Sequence, residues 1–466
     1  MLILRDYQQA SVNGVRGAYQ SGFTAPLLVL PTGGGKTVVF CHIAATTTAR
    51  GKTALILVHR IELLNQTSKA LGIAGVDHGL INPKYTPNLM APVQVASVQT
   101  LVKRLHKYAL DPNLIVIDEA HHATAGTWRK IIDHFPKALI LGVTATPIRT
   151  DGAGLGVDAG GIFDTLVIGP QVTELIDKGF LVRPIVYAPL EKLDLSNVRI
   201  QMGDYNKGEL SKEVNKPKIT GNAVAHYTKL CPGDPCVVFC VSVQHAEDVA
   251  AEFRAAGYNF YSVDGAMDDD RREMILNGLG NGTVQGVCSC DLISEGTDIP
   301  AIACAILLRP TKSTGLYLQQ VGRALRPSYG KDRAIILDHV GNVLTHGLPD
   351  DLREWSLEGI KKRRGKQERE NIIKTKQCEK CYAVHPPGPI CPVCGHIYIN
   401  DEPPEEVSGE LTEVDEEAAR QIKLNKIREQ GSAKTLDELE KIAMARGYKK
   451  GWAKHIYNSR QKKVNK

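Results

Sequence analysis

Residues 29–40 read "VLPTGGGKTVVF". The apolar start reads as the end of a buried strand and the apolar finish as the opening of a helix. Three glycines between them let backbone N–H groups crowd around a polyphosphate, and the helix N-terminus adds favourable partial charge. Thr32, Gly33, Gly34 and Gly35 are the expected cradle. Lys36 is placed to reach the β- and γ-phosphates, and the Thr37 hydroxyl to bind Mg²⁺. The general phosphate-loop pattern asks for another glycine five residues before Gly35, where this chain has Leu30. A plain glycine turn ahead of a helix is the bland alternative.

A second stretch, "LIVIDEAHH" (114–122), carries opposite charge. An apolar strand delivers Asp118 and Glu119 to its C-terminal end, where α/β sheets place their ligands. Asp118 is expected to hold Mg²⁺ and Glu119 to activate the attacking water. Adjacent carboxylates repel, and a metal between them and the phosphates relieves that repulsion.

Short continuous apolar runs recur at 27–30, 53–58, 93–97, 114–118 and 138–144, and again at 236–241, 284–290, 301–308 and 333–338. Such runs suit parallel strands covered on both faces. With helical segments between them, they predict an α/β chain of two tandem parallel-sheet units. The expected division is 1–168 for the ATP-binding unit, 169–220 for a connector or insertion, and 221–345 for the second unit. A basic linker (346–376), a cysteine module (377–400), an acidic linker (401–417) and a basic helical segment (418–466) follow.

Composition sets broad limits. The 466 residues are 43% hydrophobic and 23% charged, which fits a globular chain rather than a disordered one. Net charge is +6, too mild to identify a nucleic-acid partner unaided. Arg5 and Asp6 come early in the sequence, so no signal peptide is expected. No apolar run approaches the roughly 18 residues of a membrane helix, so no membrane partner is expected. The cytosol, bacterial or host, is the expected compartment, with reduced cysteines.

The ordered motifs resemble those of superfamily 2 helicases over most of residues 1–345. "LRDYQ" (4–8) resembles the adenine-reading motif, which puts Arg5 and Gln8 at the nucleotide. An amide like that of Gln8 can pair with N6 and N7 of adenine. "PTGGGKT" (31–37) resembles that superfamily's own phosphate loop, which accounts for Leu30. "HRIELLNQ" (59–66) and "SVQT" (97–100) resemble motifs that grip the nucleic-acid backbone, implying Arg60, Gln99 and Thr100. "DEAH" (118–121) and "TATP" (144–147) resemble motifs II and III, implying that His121, Thr144 and Thr146 couple hydrolysis to strand movement. In the second unit, "VVFCVSVQHA" (237–246) resembles motif IV. "SEGTDIP" (294–300) resembles motif V and implies Gly296 and Asp298 near the nucleotide. "QQVGRALR" (319–326) resembles motif VI and implies Gln319, Arg323 and Arg326. Arg323 and Arg326 are expected one turn apart on a helix, both facing the cleft.

The resemblance implies two RecA-like domains that hydrolyse ATP between them and move along nucleic acid. Residues 306–342 resemble the RadD-like branch of bacterial and phage DNA helicases. That implies DNA rather than RNA, at replication, repair or recombination intermediates. An RNA helicase or remodelling factor stays open, as does a restriction-type motor subunit moving on duplex DNA.

Downstream, Cys378, Cys381, Cys391 and Cys394 form a C-x₂-C-x₉-C-x₂-C pattern. Four thiolates at that spacing suit a closed structural Zn²⁺ site. A disulfide pair and an Fe–S cluster are the alternatives. His385 and His396 stand by as substitute ligands. The other seven cysteines read as small core residues. The run 361–376 has eight basic and two acidic residues, and 401–417 has nine acidic residues and no basic one. In the tail, Tyr448, Trp452 and Tyr457 interleave with Lys449, Lys450 and Lys454. They suit a nucleic-acid stacking surface or a small helical core of their own. The module or the tail could also dock a protein partner.

Overall fold

The computed structural model describes residues 3–123, 126–149, 152–189, 195–201, 203–214, 217–290, 299, 301–359, 375–398, 433, 435–445, 453–454 and 457. Met1–Tyr398 form one compact unit and Ile399–Lys466 another. No helix among the described residues is long and apolar enough to cross a membrane.

The first sheet has seven strands: β1 (Pro26–Val29), β2 (Ala54–Val58), β3 (His78–Ile81), β4 (Val93–Ser97), β5 (Leu114–Asp118), β6 (Leu139–Thr144) and β7 (Thr165–Ile168). Their order is β3-β4-β2-β5-β6-β1-β7, and every pairing is parallel. The predicted apolar runs supply β1, β2, β4, β5 and β6. β3 and β7 were not predicted. They are the two edges, and their apolar runs are short: β3 reads HGLI and β7 reads TLVI.

The intervening segment supplies β8 (Arg183–Tyr187) and a small hairpin of β9 (Ile200–Gln201) and β10 (Asp204–Tyr205). β8 lies in the stretch expected as a connector, yet it pairs in parallel with the second sheet. That sheet adds β11 (Cys236–Phe239), β12 (Phe260–Val263), β13 (Gly286–Ser289), β14 (Cys304–Leu307) and β15 (Arg333–Asp338). β16 (Lys376–Gln377) and β17 (Ala383–His385) complete it, in the order β12-β13-β11-β14-β15-β8-β17-β16. The strands from β12 to β8 are parallel, and β17 joins β8 antiparallel. The cysteine module is therefore stitched to the sheet. The α/β class with two parallel sheets is as the sequence predicts.

Apolar clusters cover both faces of each sheet, which is what continuous buried strands require. Tyr7, from the helix Asp6–Gln20, packs into the core of the second sheet. The domains also meet through ion pairs. Arg272 on the helix Asp269–Asn281 lies 3.9 Å from Glu62, and Lys84 pairs with Asp269. Beyond the second sheet the chain returns to the first domain. Leu357 packs with Leu155, Ile162 and Phe163, and its carbonyl accepts the Gly156 N–H at 2.9 Å. Gly154 has to be glycine there, because a Cβ would stand 2.3 Å from the Leu357 oxygen. Residues 154–163 of the glycine-rich stretch are thus a landing site for this return segment.

In the second unit, the helix Leu436–Ala445 contributes Leu439 to a small cluster with Ala433 and Ala453, and Tyr457 packs against it. Tyr448, Lys449, Lys450 and Trp452 lie outside the described residues, as does most of the basic run 361–376.

Candidate functional site

The phosphate loop joins β1 to the helix Lys36–Thr48. Gly33 and Gly35 have φ of 84° and 80°, left-handed values that side chains with a Cβ avoid. Gly35 is also crowded: a Cβ there would stand 2.3 Å from the Gln8 amide nitrogen. Gln8 is buried, and its carbonyl oxygen accepts the Arg5 backbone N–H at 3.0 Å. That bond leaves the Gln8 oxygen a second lone pair.

β5 carries Asp118 and Glu119 to the same sheet edge. Glu119 adopts φ 48°, ψ 53°, a strained conformation for a residue other than glycine and one that recurs at active sites. Its Oε1 lies 3.8 Å from Lys36 Nζ. Its Oε2 is buried with no hydrogen bond and stands 3.5 Å from His121 Nδ1. A carboxylate so placed has one oxygen held by a cation and one open to an incoming proton donor. Asp118 is buried and accepts the Glu119 N–H at 2.9 Å. The Thr37 hydroxyl and the Asp118 carboxylate make an all-oxygen donor set, which fits a hard cation such as Mg²⁺.

The far wall comes from the second domain. Gln319, Arg323 and Arg326 line one cleft of about 280 Å³ together with Arg5, Thr32, Gly33, Lys36, Thr37, Asp118 and Glu119. The motif VI helix runs Thr314–Gly322 and ends earlier than expected. Arg323 caps it and Arg326 follows in a turn, because Pro327 disfavours helix at the residue before it. Both arginines still reach the cleft. Gly322 lets this helix approach the phosphate loop, since a Cβ would stand 2.5 Å from Thr32 Cβ.

A polar chain runs from the acidic strand end as far as Thr146, whose hydroxyl packs beside that helix without a hydrogen bond to it. His121 Nδ1 lies 3.0 Å from Thr144 Oγ1, which in turn donates to the Thr146 carbonyl at 3.1 Å. Thr146 Oγ1 is 3.0 Å from where a Cβ on Gly315 would stand. His121, Thr144 and Thr146 are therefore brought together at the domain boundary.

Sequence reasoning missed Phe180. It lines the cleft, with the Arg5 guanidinium 4.4 Å over its ring and the Tyr7 ring 5.1 Å away. Nothing local in its sequence marks it. Gln99 is exposed and donates to the His59 carbonyl at 3.1 Å, which sets it beside Arg60. Thr100 is buried instead. Gly296 and Asp298 lie outside the described residues.

Within the cysteine module, all four Sγ atoms lie within 4.8 Å of one another. The Cys378–Cys394 and Cys381–Cys391 separations are 3.6 and 3.7 Å. Disulfide sulfurs stand at about 2.05 Å. Tetrahedral zinc, with Zn–S of about 2.3 Å, sets sulfurs about 3.8 Å apart. The donor set therefore fits one Zn²⁺ ion; a multi-iron cluster would splay the sulfurs further. His385 is engaged elsewhere, with Nδ1 2.7 Å from the Pro386 carbonyl and Nε2 2.7 Å from the Tyr398 hydroxyl. Of the other seven cysteines, six are buried and Cys290 is half-buried.

A family described as "Type III restriction enzyme, res subunit" matches residues 1–149, and "Helicase conserved C-terminal domain" matches 222–328. A 51.5 kDa protein of a Lactococcus phage is 33% identical over 89% of this chain and 87% of its own length. "Putative ATP-dependent helicase IRC3" of Saccharomyces cerevisiae is 32% identical over 73% of this chain, which spans 52% of the yeast protein. The fold is shared with a fragment of an HsdR subunit of a type I restriction enzyme from Vibrio vulnificus, at a TM-score of 0.59 and 21% identity. That match covers 75% of this chain and 67% of the fragment. The chain belongs to the superfamily 2 helicases and is an ATP-dependent motor ATPase of that family.

Proposed function

We propose that this ATPase is a DNA helicase or translocase acting on replication, repair or recombination intermediates. The observation that carries the reading is one cleft lined by Lys36 and Glu119 from one sheet and Arg323 and Arg326 from the other. Lys36 holds the β- and γ-phosphates and gives up its contact with Glu119 when they arrive. Thr37 and Asp118 would hold the Mg²⁺ ion, which supplies charge neutralisation at the phosphates. Glu119 accepts the proton of the attacking water. Arg323 and Arg326 stabilise charge on the transferred group and favour domain closure. Hydrolysis removes those contacts, and the population shifts towards an open cleft. Arg60 and Gln99 serve the strand, and the His121–Thr144–Thr146 chain reports the state of the site to the second domain. Residues 1–168 and 221–345 are the two motor domains in this reading, with β8 serving the second. The cysteine module binds Zn²⁺ and has a structural role.

The restriction-enzyme family that matches residues 1–149 supports DNA over RNA. It also supports a second reading, a motor that moves on duplex DNA without separating strands. Lys36→Ala should reduce nucleic-acid-stimulated ATP hydrolysis to background, measured as phosphate release; retained turnover would sink the site assignment. Comparing stimulation by single-stranded DNA, duplex, branched DNA and RNA, alongside triplex displacement and strand separation, distinguishes the readings. Stimulation by RNA alone would reject both.

A further inference from the structure

A second cavity, of about 640 Å³, opens where the cysteine module meets the second motor sheet. It lies at the carboxyl ends of β15 and β8, where Leu337 and Tyr187 are register partners. That edge is where parallel α/β sheets place ligands. The opposite wall is the module itself, through Gln377, Lys380 and Tyr382. The wall is fixed, because β17 bonds to β8 and Gln377 Nε2 donates to the Ala188 carbonyl at 2.7 Å.

Tyr382 stands out within that wall. Its φ is 64°, a left-handed value disfavoured for residues with a Cβ, and its N–H donates to the Cys378 carbonyl at 2.8 Å. The turn that closes the first cysteine pair thus presents a tyrosine that is 56% exposed. Lys229 Nζ lies 5.9 Å from its ring centre, and Lys380 is exposed nearby. The rings of His226 and His339 lie 5.1 Å apart at 34°. Burial holds both imidazoles below their ordinary range, so they stay neutral near pH 7. Asp338 is the one carboxylate among the described lining residues, and it points inward. Its oxygens accept the Val340 N–H at 3.3 Å and the Val343 N–H at 2.7 Å. The cavity therefore offers aromatic faces and exposed ammonium groups with no outward carboxylate. Single-strand-binding proteins use that combination, because every base has a π-face and every linkage a charge.

We propose that this cavity binds single-stranded nucleic acid, with a base stacked on Tyr382 and neighbouring phosphates on Lys229 and Lys380. The inference rests on the motor reading for the presence of a strand. It places the contact outside every motif that reading uses, on a surface made jointly by motor and module. An acidic peptide would satisfy the lysines but would leave the tyrosine face without a planar partner.

The test uses the full chain in its zinc-bound form, with fluorescence anisotropy of labelled oligo-dT and oligo-rU over a salt series. Tyr382→Ala should weaken binding about tenfold, and Tyr382→Phe should keep it within about twofold. Replacing Lys229 and Lys380 together by alanine should lower the salt slope by about 1.4, the value for two phosphate contacts on a single strand. Zinc content and basal ATP hydrolysis should be unchanged throughout. Wild-type affinity in Tyr382→Ala for both oligonucleotides overturns the proposal, as does an equal loss in Tyr382→Phe. Equal weakening of duplex binding also overturns it, since a paired base cannot stack there. If the unaltered protein binds neither oligonucleotide, the proposal is overturned, and the motor reading falls with it only if duplex DNA is not bound either. If it binds an acidic peptide at this site in their place, only the choice of ligand is overturned.

Discussion

Lys36 and Glu119 enter the ATP cleft from the edge of one sheet, and Arg323 and Arg326 enter it from another domain. The four sulfurs come from one short stretch, Cys378–Cys394. The cleft depends on the packing of two cores and on how closely they approach. The module has sulfurs spaced to close around one ion, and metal binding would then supply most of its folding energy. Damage to the cleft should therefore appear as lost rate in an intact protein. Damage to the module should appear as lost structure in a motor that still turns over.

The largest expected effect comes from Arg323→Ala. Arginine fingers are worth roughly 10³–10⁵ in rate in related enzymes, so turnover at saturating ATP should fall about 10³-fold or more. Nucleotide binding should persist in a filter or fluorescence assay. An unchanged rate would break the view that the second domain completes the site. Cys378→Ser comes next. Zinc should fall from about one ion per chain to near none, and limited proteolysis should cut the module, while basal ATP hydrolysis stays within about twofold. A collapse of hydrolysis would show that the module is not self-contained. Gly322→Ala tests domain approach directly, because the new Cβ must displace Thr32. Overpacking of this kind costs about 1–3 kcal/mol, so subsaturating ATP turnover should drop about tenfold. The smallest effect belongs to Lys84→Ala. Its pairing with Asp269 bridges the domains on an exposed surface. Hydrolysis should change less than about twofold, and the difference should vanish in high salt.

The two regions also differ in how far the sequence revealed them. The cysteines announced their site, since ligand identity and spacing are local. Lys36, Asp118 and Glu119 were equally legible, because strand, turn and helix adjoin in the chain. The nine buried strand runs were legible from continuous apolarity. The edge strands β3, β7 and β12 were not, because their apolar runs are only two or three residues long: HGLI, TLVI and FYSV. β8 hid behind Pro184 and an irregular neighbourhood. Phe180 and the packing reason for glycine at Gly154 and Gly322 were invisible for another reason. Each is defined by a partner far away in the chain, and no local pattern encodes such a partner. The early end of the motif VI helix was readable from Pro327, but the expected helical spacing of the arginines masked it.

The return segment around Leu357 has a mechanical consequence. It leaves the second domain through Arg353, whose carbonyl accepts Gln171 Nε2 at 3.2 Å, and its far end docks on the first domain at Gly154 and Gly156. A chain clamped at both ends acts as a leash. The domains cannot part by simple translation without stripping Leu357 from its seat. Rotation about that seat leaves the contact intact, so the leash favours a swing over a slide. The arc of that swing is then limited by residues 353–357, none of which lines the cleft that holds Lys36 and Glu119.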